Sequence, residues 1–558
     1  MRWTNLRKST RKNPPSKGDL GGCWRRSDKK ELPKYPHAPL QRGNKKSALP
    51  LVVLVFLPLF AQAQHTTVPL NHRVYTFLQK AETLQLFDSY QMRVRPIRRS
   101  AALSLLRQIG GHRERLSKAD QQLLAQFLAE FRDPNIGEAA APNSEIHLYR
   151  YEEGEAQIFA DARVQQTVRF SRNRFEIDAE NISETLVSGA IRGRFSEHFF
   201  FDLQARNTAI LGEDDLNENF NADNGQIRAV VGSTAFNDQA TGYASARFGR
   251  FGVLLGRNTI AWGSQLGAQL ALSDANEPMD LLQLSLDFQR FRFSSFHAKL
   301  QGIGDQRYLA GHRLDYLAST WLHLGVYETV IYAGRGLEPG YINPLVPYHI
   351  IEHQLGDKDN NTLGFDWNAF VTPGVRAFGE IFLDDFSFDK SLGTYWGNKL
   401  AYLAGVHWAQ AFGLKTVELS GDFTRIDPFV YTHHDTLNMY AHYGQSLGAA
   451  IGPNAERWRT SLTWQPLRDA RWQLSYSLTR NGSGDIFTAH RPENGEAKGY
   501  LRGTIETFHD WHIALDHQMK RDVFSGFEIT IRKRKNTVFI AGDNRWERYA
   551  RFYLDVNW

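Results

Sequence analysis

The last ten residues of the chain, Tyr549 to Trp558, alternate strictly between apolar and polar side chains. The apolar parity consists of Ala550, Phe552, Leu554, Val556 and Trp558. Successive side chains of a strand point to opposite faces, so this pattern predicts a strand with one apolar and one polar face. Ten residues are about the length that a tilted strand needs to cross a bilayer. A membrane-spanning strand is the favoured interpretation, and an edge strand of a soluble sandwich is the alternative.

The same period of two recurs upstream. Arg457 to Gln465 and Trp472 to Leu478 alternate around a turn at 466–470, which predicts a β-hairpin. Short turns, such as the one at Ser196 to His198, contrast with long polar stretches at 212–239 and 481–499. This contrast is typical of transmembrane β-barrels.

The length available for the barrel sets the predicted number of strands. Residues 145–558 supply 414 positions, and at about 10 residues per spanning strand plus connections they leave room for about 16 to 18 strands. Single-chain bacterial barrels use even numbers. The predicted fold is therefore mainly β, a large antiparallel transmembrane β-barrel of about 18 strands.

Residues 64–133 have a helical period instead. One predicted face carries Val74, Phe77, Leu78, Ala81 and Leu84. A second helix is predicted from an N-cap at Ser100 to Gly110, and a third from Ser117, which forms a weak capping box with Asp120. We expect a small N-terminal periplasmic helical bundle that packs against the mouth of the barrel, because so short a segment has little core of its own. Residues 134–144 then read as a linker.

A secretion signal precedes the helices. Residues 45–63 combine a basic start, an apolar run over 48–60 and the small-residue pattern Ala61-Gln62-Ala63, which together predict a signal peptide cleaved near Ala63. Residues 1–44 show no periodicity and read as an unstructured leader. An over-extended reading frame with a later true start and a genuine cytoplasmic leader are the two interpretations of that segment.

Removing residues 1–63 reverses the charge of the chain. They hold 14 of the 66 basic residues and 3 of the 60 acidic ones, so the remainder has 52 basic and 57 acidic residues and a formal charge of −5. The basic character that suggested nucleic acid as a partner therefore lies in the discarded part, and no nucleic-acid binding is expected. The single cysteine, Cys23, is removed as well, which leaves no disulfide and no cysteine metal ligand.

A series of short motifs resembles the capsule assembly protein Wzi family of outer-membrane proteins. The motifs are Gly256-Arg257, Trp262-Gly263, Leu272 to Asn276, Ala310 to Asp315, Glu328, Ile331-Tyr332, Asn343 to Leu345, Leu363 to Trp367, Gly379-Glu380, Asp384 to Phe386, Phe423 to Arg425 and Tyr431 to His433. The helical segment and its position before the barrel also fit the family.

The resemblance implies an 18-stranded outer-membrane barrel that acts as a surface lectin. Such a protein binds exported capsular or other surface polysaccharide and helps to attach or assemble it at the cell surface. The implied partners are that polysaccharide, outer-membrane lipid and the polysaccharide export machinery, with no cofactor and no catalytic activity. A general or carbohydrate-selective diffusion porin is the alternative, and it would have an open aqueous lumen.

Candidate glycan contacts are residues that can hydrogen-bond hydroxyl groups or stack on sugar rings. They are Glu328, Tyr332, Arg335, Asn343, Tyr348, Glu352, Asp366, Trp367, Glu380, Asp384, Arg425 and His433. The competing interpretation is that these groups pair with one another as a lumen network.

A glycosidase would need two carboxylates facing each other, and adjacent Asp384 and Asp385 point to opposite faces of a strand. No enzyme and no metal site at His433 are expected.

Overall fold

Eighteen strands of the described residues close into one antiparallel β-barrel. This computed structural model describes residues 66–88, 90–132, 146–173, 180–212 and 229–558. The predicted leader and signal peptide, and the linker at 134–144, lie outside the described residues.

Each strand pairs with its neighbours in the sequence. In chain order the barrel strands are β1 (Ala156–Asn173), β2 (Glu180–Arg194), β3 (Phe199–Leu211), β4 (Thr234–Phe248), β5 (Phe251–Asn258), β6 (Met279–Asp287), β7 (Phe291–Leu300), β8 (Arg307–Ser319), β9 (Leu322–Ala333), β10 (Asn360–Thr372), β11 (Val375–Asp385), β12 (Lys399–Ala409), β13 (Val417–Ile426), β14 (Ala455–Leu467), β15 (Ala470–Asn481), β16 (Glu506–Lys520), β17 (Val523–Lys535) and β18 (Asn544–Asn557). The barrel closes where β18 pairs with β1, with Phe552 opposite Val168. An even number of strands allows this closure to be antiparallel, and the predicted count of 18 is confirmed.

The C-terminal alternation has the predicted consequence. On β18, Phe552 and Leu554 are exposed on the outside of the barrel, whereas Arg551 faces inward and donates to the Glu528 carboxylate at 2.9 Å. The strand starts at Asn544, five residues before the predicted segment, because pairing with β17 continues that far. The predicted hairpin is confirmed as β14 and β15, joined by a turn at 468–469.

The two ends of the barrel differ in the lengths of their connections. One end, the short-turn end, carries turns such as 249–250, 373–374 and 521–522, and the other, the long-loop end, carries segments such as 334–359 and 482–505. The predicted loop at 212–239 is shorter than expected because β4 already begins at Thr234 and pairs with β3.

Three helices precede the barrel in the described residues: α1 (Val74–Thr83), α2 (Arg99–Gly110) and α3 (Lys118–Glu130). The predicted capping box at the start of α3 is present between Ser117 and Asp120. The predicted cap at Ser100 is wrong, because α2 begins at Arg99 after an extended Arg98, where the Arg99 amide donates to the Thr66 carbonyl.

The helices pack against the short-turn end of the barrel. The amide of Gly374 in the β10–β11 turn donates to the Thr83 carbonyl at 2.9 Å, and the Gln410 side chain donates to the Arg115 carbonyl at 2.6 Å. No helix in the part of the chain that the structure describes is long and apolar enough to cross a membrane.

Candidate functional site

A buried charge cluster holds α1 inside the short-turn end of the barrel. Glu82 of α1 accepts hydrogen bonds from Arg93 and from Arg376 of β11, and all three side chains are almost completely buried. Burial alone would raise the pKa of Glu82, but the two guanidinium groups outweigh it and hold the pKa below its ordinary value. Lys80 adds a second link, since it pairs with Asp120 of α3 at 3.0 Å and donates to the Lys415 carbonyl of the barrel at 3.1 Å.

The β5–β6 connection, residues 259–278, enters the lumen. Within it Ala261 and Trp262 pair as a two-residue strand with Val94 and Arg95. The Trp262 ring is almost completely buried and lies 5.6 Å from the ring of Tyr327 on the inner face of β9. This segment, called the first lumen segment below, connects the wall of the barrel to the helical part.

The β13–β14 connection, residues 427–454, is the second lumen segment. Its Tyr431 hydroxyl donates to the Leu270 carbonyl of the first lumen segment at 2.7 Å, and the Tyr431 ring stacks on that of Tyr440. Arg307, on the inner face of β8, donates to the carbonyls of Met439 at 2.7 Å and Ala441 at 3.1 Å. The two segments therefore pack on each other and on the wall.

Three candidate residues face the lumen, and two of them, Glu380 and Asp384, hold these segments. Asp366 and Glu380 lie directly opposite each other on β10 and β11. Asp366 accepts a hydrogen bond from Arg313 at 2.5 Å, and Glu380 accepts from the Tyr327 hydroxyl at 2.6 Å and the Leu270 amide at 3.3 Å. Asp384 accepts from the Tyr431 amide at 2.7 Å. All three groups are buried and hydrogen-bonded: Glu380 and Asp384 bind the lumen segments, whereas Asp366 pairs with Arg313 of the wall.

Six other candidates gather on the outward face of the barrel, where the β9–β10 connection folds back over the wall. They are Glu328, Tyr332, Arg335, Asn343, Tyr348 and Glu352. This connection, residues 334–359, is called the outer-wall segment and contains α4 (Pro339–Ile342) and α5 (Tyr348–Leu355). Glu328 accepts from the amides of Tyr348 and His349 at the start of α5, at 2.8 and 2.7 Å.

The remaining three candidates are separated from both groups. Trp367 neighbours inward-facing Asp366 on β10, so alternation places it on the outward face. Arg425 lies near the long-loop end of β13, where its guanidinium stacks 3.4 Å from the ring centre of Tyr500. His433 lies in the second lumen segment, where burial lowers its pKa.

A cavity of about 610 Å³ lies against strands β2 to β4 and is lined by none of the twelve candidates. Ser188, Arg206 and Gln239 are consecutive partners across these strands, and they face inward. The Gln239 amide donates to the Glu277 carboxylate of the first lumen segment at 2.9 Å, and Tyr443 of the second lumen segment completes the lining. Its hydroxyl, amide, carboxylate and guanidinium groups are of the kinds that hydrogen-bond sugar hydroxyls.

Sequence reasoning missed this cavity because its wall residues come from four separate strands without a shared motif. Ser188, Arg206 and Gln239 are 18 and 33 positions apart, and only the register of β2 to β4 brings them side by side. The available signal was the inward parity of each strand, which does not reveal which inward residues border open space.

Comparison with known proteins gives one family. The family model for the capsule assembly protein Wzi matches residues 172–546. Among curated proteins, no sequence match is found.

One solved structure shares the fold, and others are more distantly similar. Wzi of Escherichia coli, described as an outer membrane protein involved in group 1 capsule assembly and a carbohydrate-binding β-barrel, aligns with a TM-score of 0.57 and 14% identity over 87% of this chain and 98% of that chain. OprD and OccK8 (OprE) of Pseudomonas aeruginosa each align with a TM-score of 0.43 and 10% identity over 72% of this chain, and over 94% and 98% of their own chains. With the family model covering more than half of its length, this chain belongs to the capsule assembly protein Wzi family.

Proposed function

We propose that this protein is an outer-membrane barrel that binds exported capsular or other surface polysaccharide and helps to hold it at the cell surface. It acts by binding rather than by catalysis, with the short-turn end and its helices on the periplasmic side and the long loops outside. Membership of the Wzi family supports this role, as does the carbohydrate binding described for the E. coli protein of the same fold.

The observation that carries the proposal is a polar cavity in a barrel whose lumen is partly filled by its own connections. The helices close the short-turn end, and the two lumen segments fill the space along β8 to β12. The cavity remains at β2 to β4. A polymer that enters from the long loops would therefore meet a binding surface and a closed end.

The chemistry of the cavity suits a polyhydroxylated ligand. Arg206 and Glu277 offer charged donors and acceptors, and Gln239 and Ser188 offer neutral ones. Hydrogen bonds that involve a charged partner are about twice as strong as neutral ones, and carboxylates and amides fit pairs of adjacent hydroxyls. Tyr443 adds an aromatic ring against which the apolar face of a sugar can pack.

A diffusion porin requires a continuous aqueous path with opposed charges at a constriction. The packing between Tyr431, Leu270 and Glu380 fills the part of the lumen beside β11 and narrows that path. The occupied lumen therefore favours a binding protein over a porin.

The binding proposal is tested with the purified protein and the polysaccharide that its own host exports. We expect saturable binding, and we expect Arg206→Ala or Glu277→Gln to weaken it by about tenfold or more, because each removes a charge-assisted hydrogen bond. Arg551→Ala is the matched control, since Arg551 faces the lumen but does not line the cavity. Equal affinity in all four proteins would show that the cavity is not the glycan site.

The cellular role is tested by deleting the gene. We expect the polymer to be synthesised in the usual amount but released into the medium, and the wild-type gene to restore its retention. Unchanged retention in the deletion strain would contradict the proposed attachment role, whatever the purified protein binds.

A further inference from the structure

Strands β7 to β9 carry polar and ionisable side chains on the outward face of the barrel, near the long-loop end. Glu328 on β9 lies opposite His312 of β8, and Tyr332 lies opposite Tyr308. His297 of β7 is hydrogen-bonded to the Tyr332 hydroxyl at 2.7 Å. In a membrane-spanning barrel this face meets lipid, where an uncovered carboxylate or imidazole is costly.

The same face is apolar immediately beside and below this cluster. Leu363 of β10 is the register partner of Glu328, and Val326 is the partner of Phe365. All three of these apolar side chains are exposed on the outside of the barrel. The polar cluster therefore lies directly beside the apolar band of the barrel and is not separated from it.

The outer-wall segment covers the cluster. The Glu328 carboxylate receives the Tyr348 and His349 amides and, at 3.0 Å, the Asn361 side chain. The Tyr348 ring stacks on His312 with a centroid distance of 4.3 Å. Tyr332, Tyr341 and Tyr348 are buried together with Val330 and Ala310 of the wall. Glu328 and His312 are thereby shielded by protein on their outer side, with 9% and 16% of their side chains exposed.

A second contact fixes the start of the segment. Arg335 makes two hydrogen bonds with Asp359, at 2.9 and 2.5 Å, and stacks over the Tyr332 ring. The Tyr341 hydroxyl donates to the same Asp359 at 2.7 Å. The two ends of the segment are thus tied to each other as well as to the wall.

The side of the outer-wall segment that faces away from the barrel is largely apolar. Its exposed apolar side chains are Leu337, Ile342, Leu345, Ile350 and Leu355. Leu345 is 81% exposed. A group of exposed apolar side chains, unlike a single one, marks a surface that contacts a membrane or another protein. His349 and His353 are interspersed among them on α5. Apolar side chains mixed with polar ones are typical of elements that lie in a membrane interface.

We propose that the outer-wall segment is an interfacial membrane anchor, in which residues 337–355 contact the acyl chains of the outer leaflet while their inner side seals the Glu328 cluster from lipid. Continuity with the apolar band identifies lipid as the occupant of this surface. The inference rests on the membrane location proposed above and is independent of polysaccharide binding.

The test uses spin labels on the full-length protein in bilayer nanodiscs. Cys23, the single cysteine, is replaced by serine, and labels are attached at Leu345→Cys and Ile350→Cys. Leu474→Cys, 53% exposed on the outward face of β15, is the lipid-facing control, and Glu493→Cys in the 482–505 loop is the aqueous control. Collision rates with oxygen, which partitions into lipid, and with a water-soluble nickel chelate are compared.

We expect labels at 345 and 350 to collide with oxygen in preference to the chelate. Their ratio of oxygen to chelate collision rates should be shifted from the value of Glu493→Cys toward that of Leu474→Cys. Values equal to those of Glu493→Cys at both sites would overturn the anchor. If Leu474→Cys also behaved as aqueous, the membrane location itself would fail, so the two failures are distinguishable. All four positions are exposed, and the heat-dependent gel mobility of a folded barrel verifies each variant.

Discussion

The carboxylate of Glu328 accepts a hydrogen bond from the backbone amide of Tyr348 at 2.8 Å, which joins a barrel strand to the first turn of a helix outside the barrel. A second oxygen of the same carboxylate receives the His349 amide at 2.7 Å. The first amides of a helix have no partner within the helix, and an anion there also interacts favourably with the helix dipole. Glu328 is therefore the main electrostatic attachment of α5.

Glu328→Gln should loosen the outer-wall segment without unfolding the barrel. The amide retains one acceptor oxygen but loses the charge, so we expect a cost of about 1 to 2 kcal/mol. The measurement is the mobility of a spin label at Ile350, which should increase. Glu197→Gln, in an exposed turn at the short-turn end, is the control and should leave the mobility unchanged. A label as immobile as in the wild type would argue against this attachment.

Docking of α5 should weaken as pH rises. Burial, together with the nearby carboxylates of Asp357, Asp359, Asp385 and Glu328, raises the pKa of Glu352 to about 8. A carboxyl group with a raised pKa in the docked state stabilises docking below its ordinary pKa of 4.5, and this contribution disappears as pH rises through about 8. The mobility of the Ile350 label should therefore increase between about pH 5 and pH 8.

Glu352→Gln provides the control for this pH dependence. The neutral side chain has no proton to lose, so the mobility profile should become flat between pH 5 and 8. His349 lies 3.8 Å from Glu352, and His349→Gln should leave the main transition in place. A transition that follows His349 instead would assign the effect to the imidazole.

Glu82→Gln should destabilise the attachment of the helices to the barrel by about 3 to 5 kcal/mol, because it leaves Arg93 and Arg376 buried without a countercharge. The change in stability is measured by urea-induced unfolding, with limited proteolysis of α1 as the readout. Asp469→Asn, which breaks an exposed ion pair with Arg468, is the control and should cost less than about 1 kcal/mol. Equal stability of the two variants would show that the buried cluster does not hold the helices to the barrel.

The protein should not form steady channels in planar bilayers. The first lumen segment occupies the lumen and is held by Glu380 and Arg93. Replacing residues 260–276 with a short Gly-Ser linker should therefore produce stable conductance. Shortening the exposed 536–543 loop is the control. High conductance in the unaltered protein would favour the porin alternative.

Much of the fold was predictable because strand alternation and helix capping are local properties. The outward residues of β18 and the Ser117–Asp120 box each depend on neighbours within a few positions. Even the strand count followed from length, since every strand of a closed barrel crosses a similar distance. The observed start of α2 differed from the predicted one because its first amide donates to the carbonyl of Thr66, a partner 33 residues away.

The candidate site was predictable only in its residue types. Adjacent Asp366 and Trp367 were selected together, yet one faces the lumen and the other the outside, which alternation already requires. The position of Tyr348 was not predictable in this way, because it lies against Glu328 outside the barrel only through the direction in which residues 334–359 fold back.

A barrel of alternating strands, the helices before it and the family could be read from the sequence, because these depend on periodicity and on motifs along the chain. The three-dimensional structure was needed to show which connections enter the lumen, which one covers the outer wall and where Ser188, Arg206 and Gln239 border open space. Those features depend on the register between strands and on the path of long connections, and both are set by contacts between residues distant in the chain.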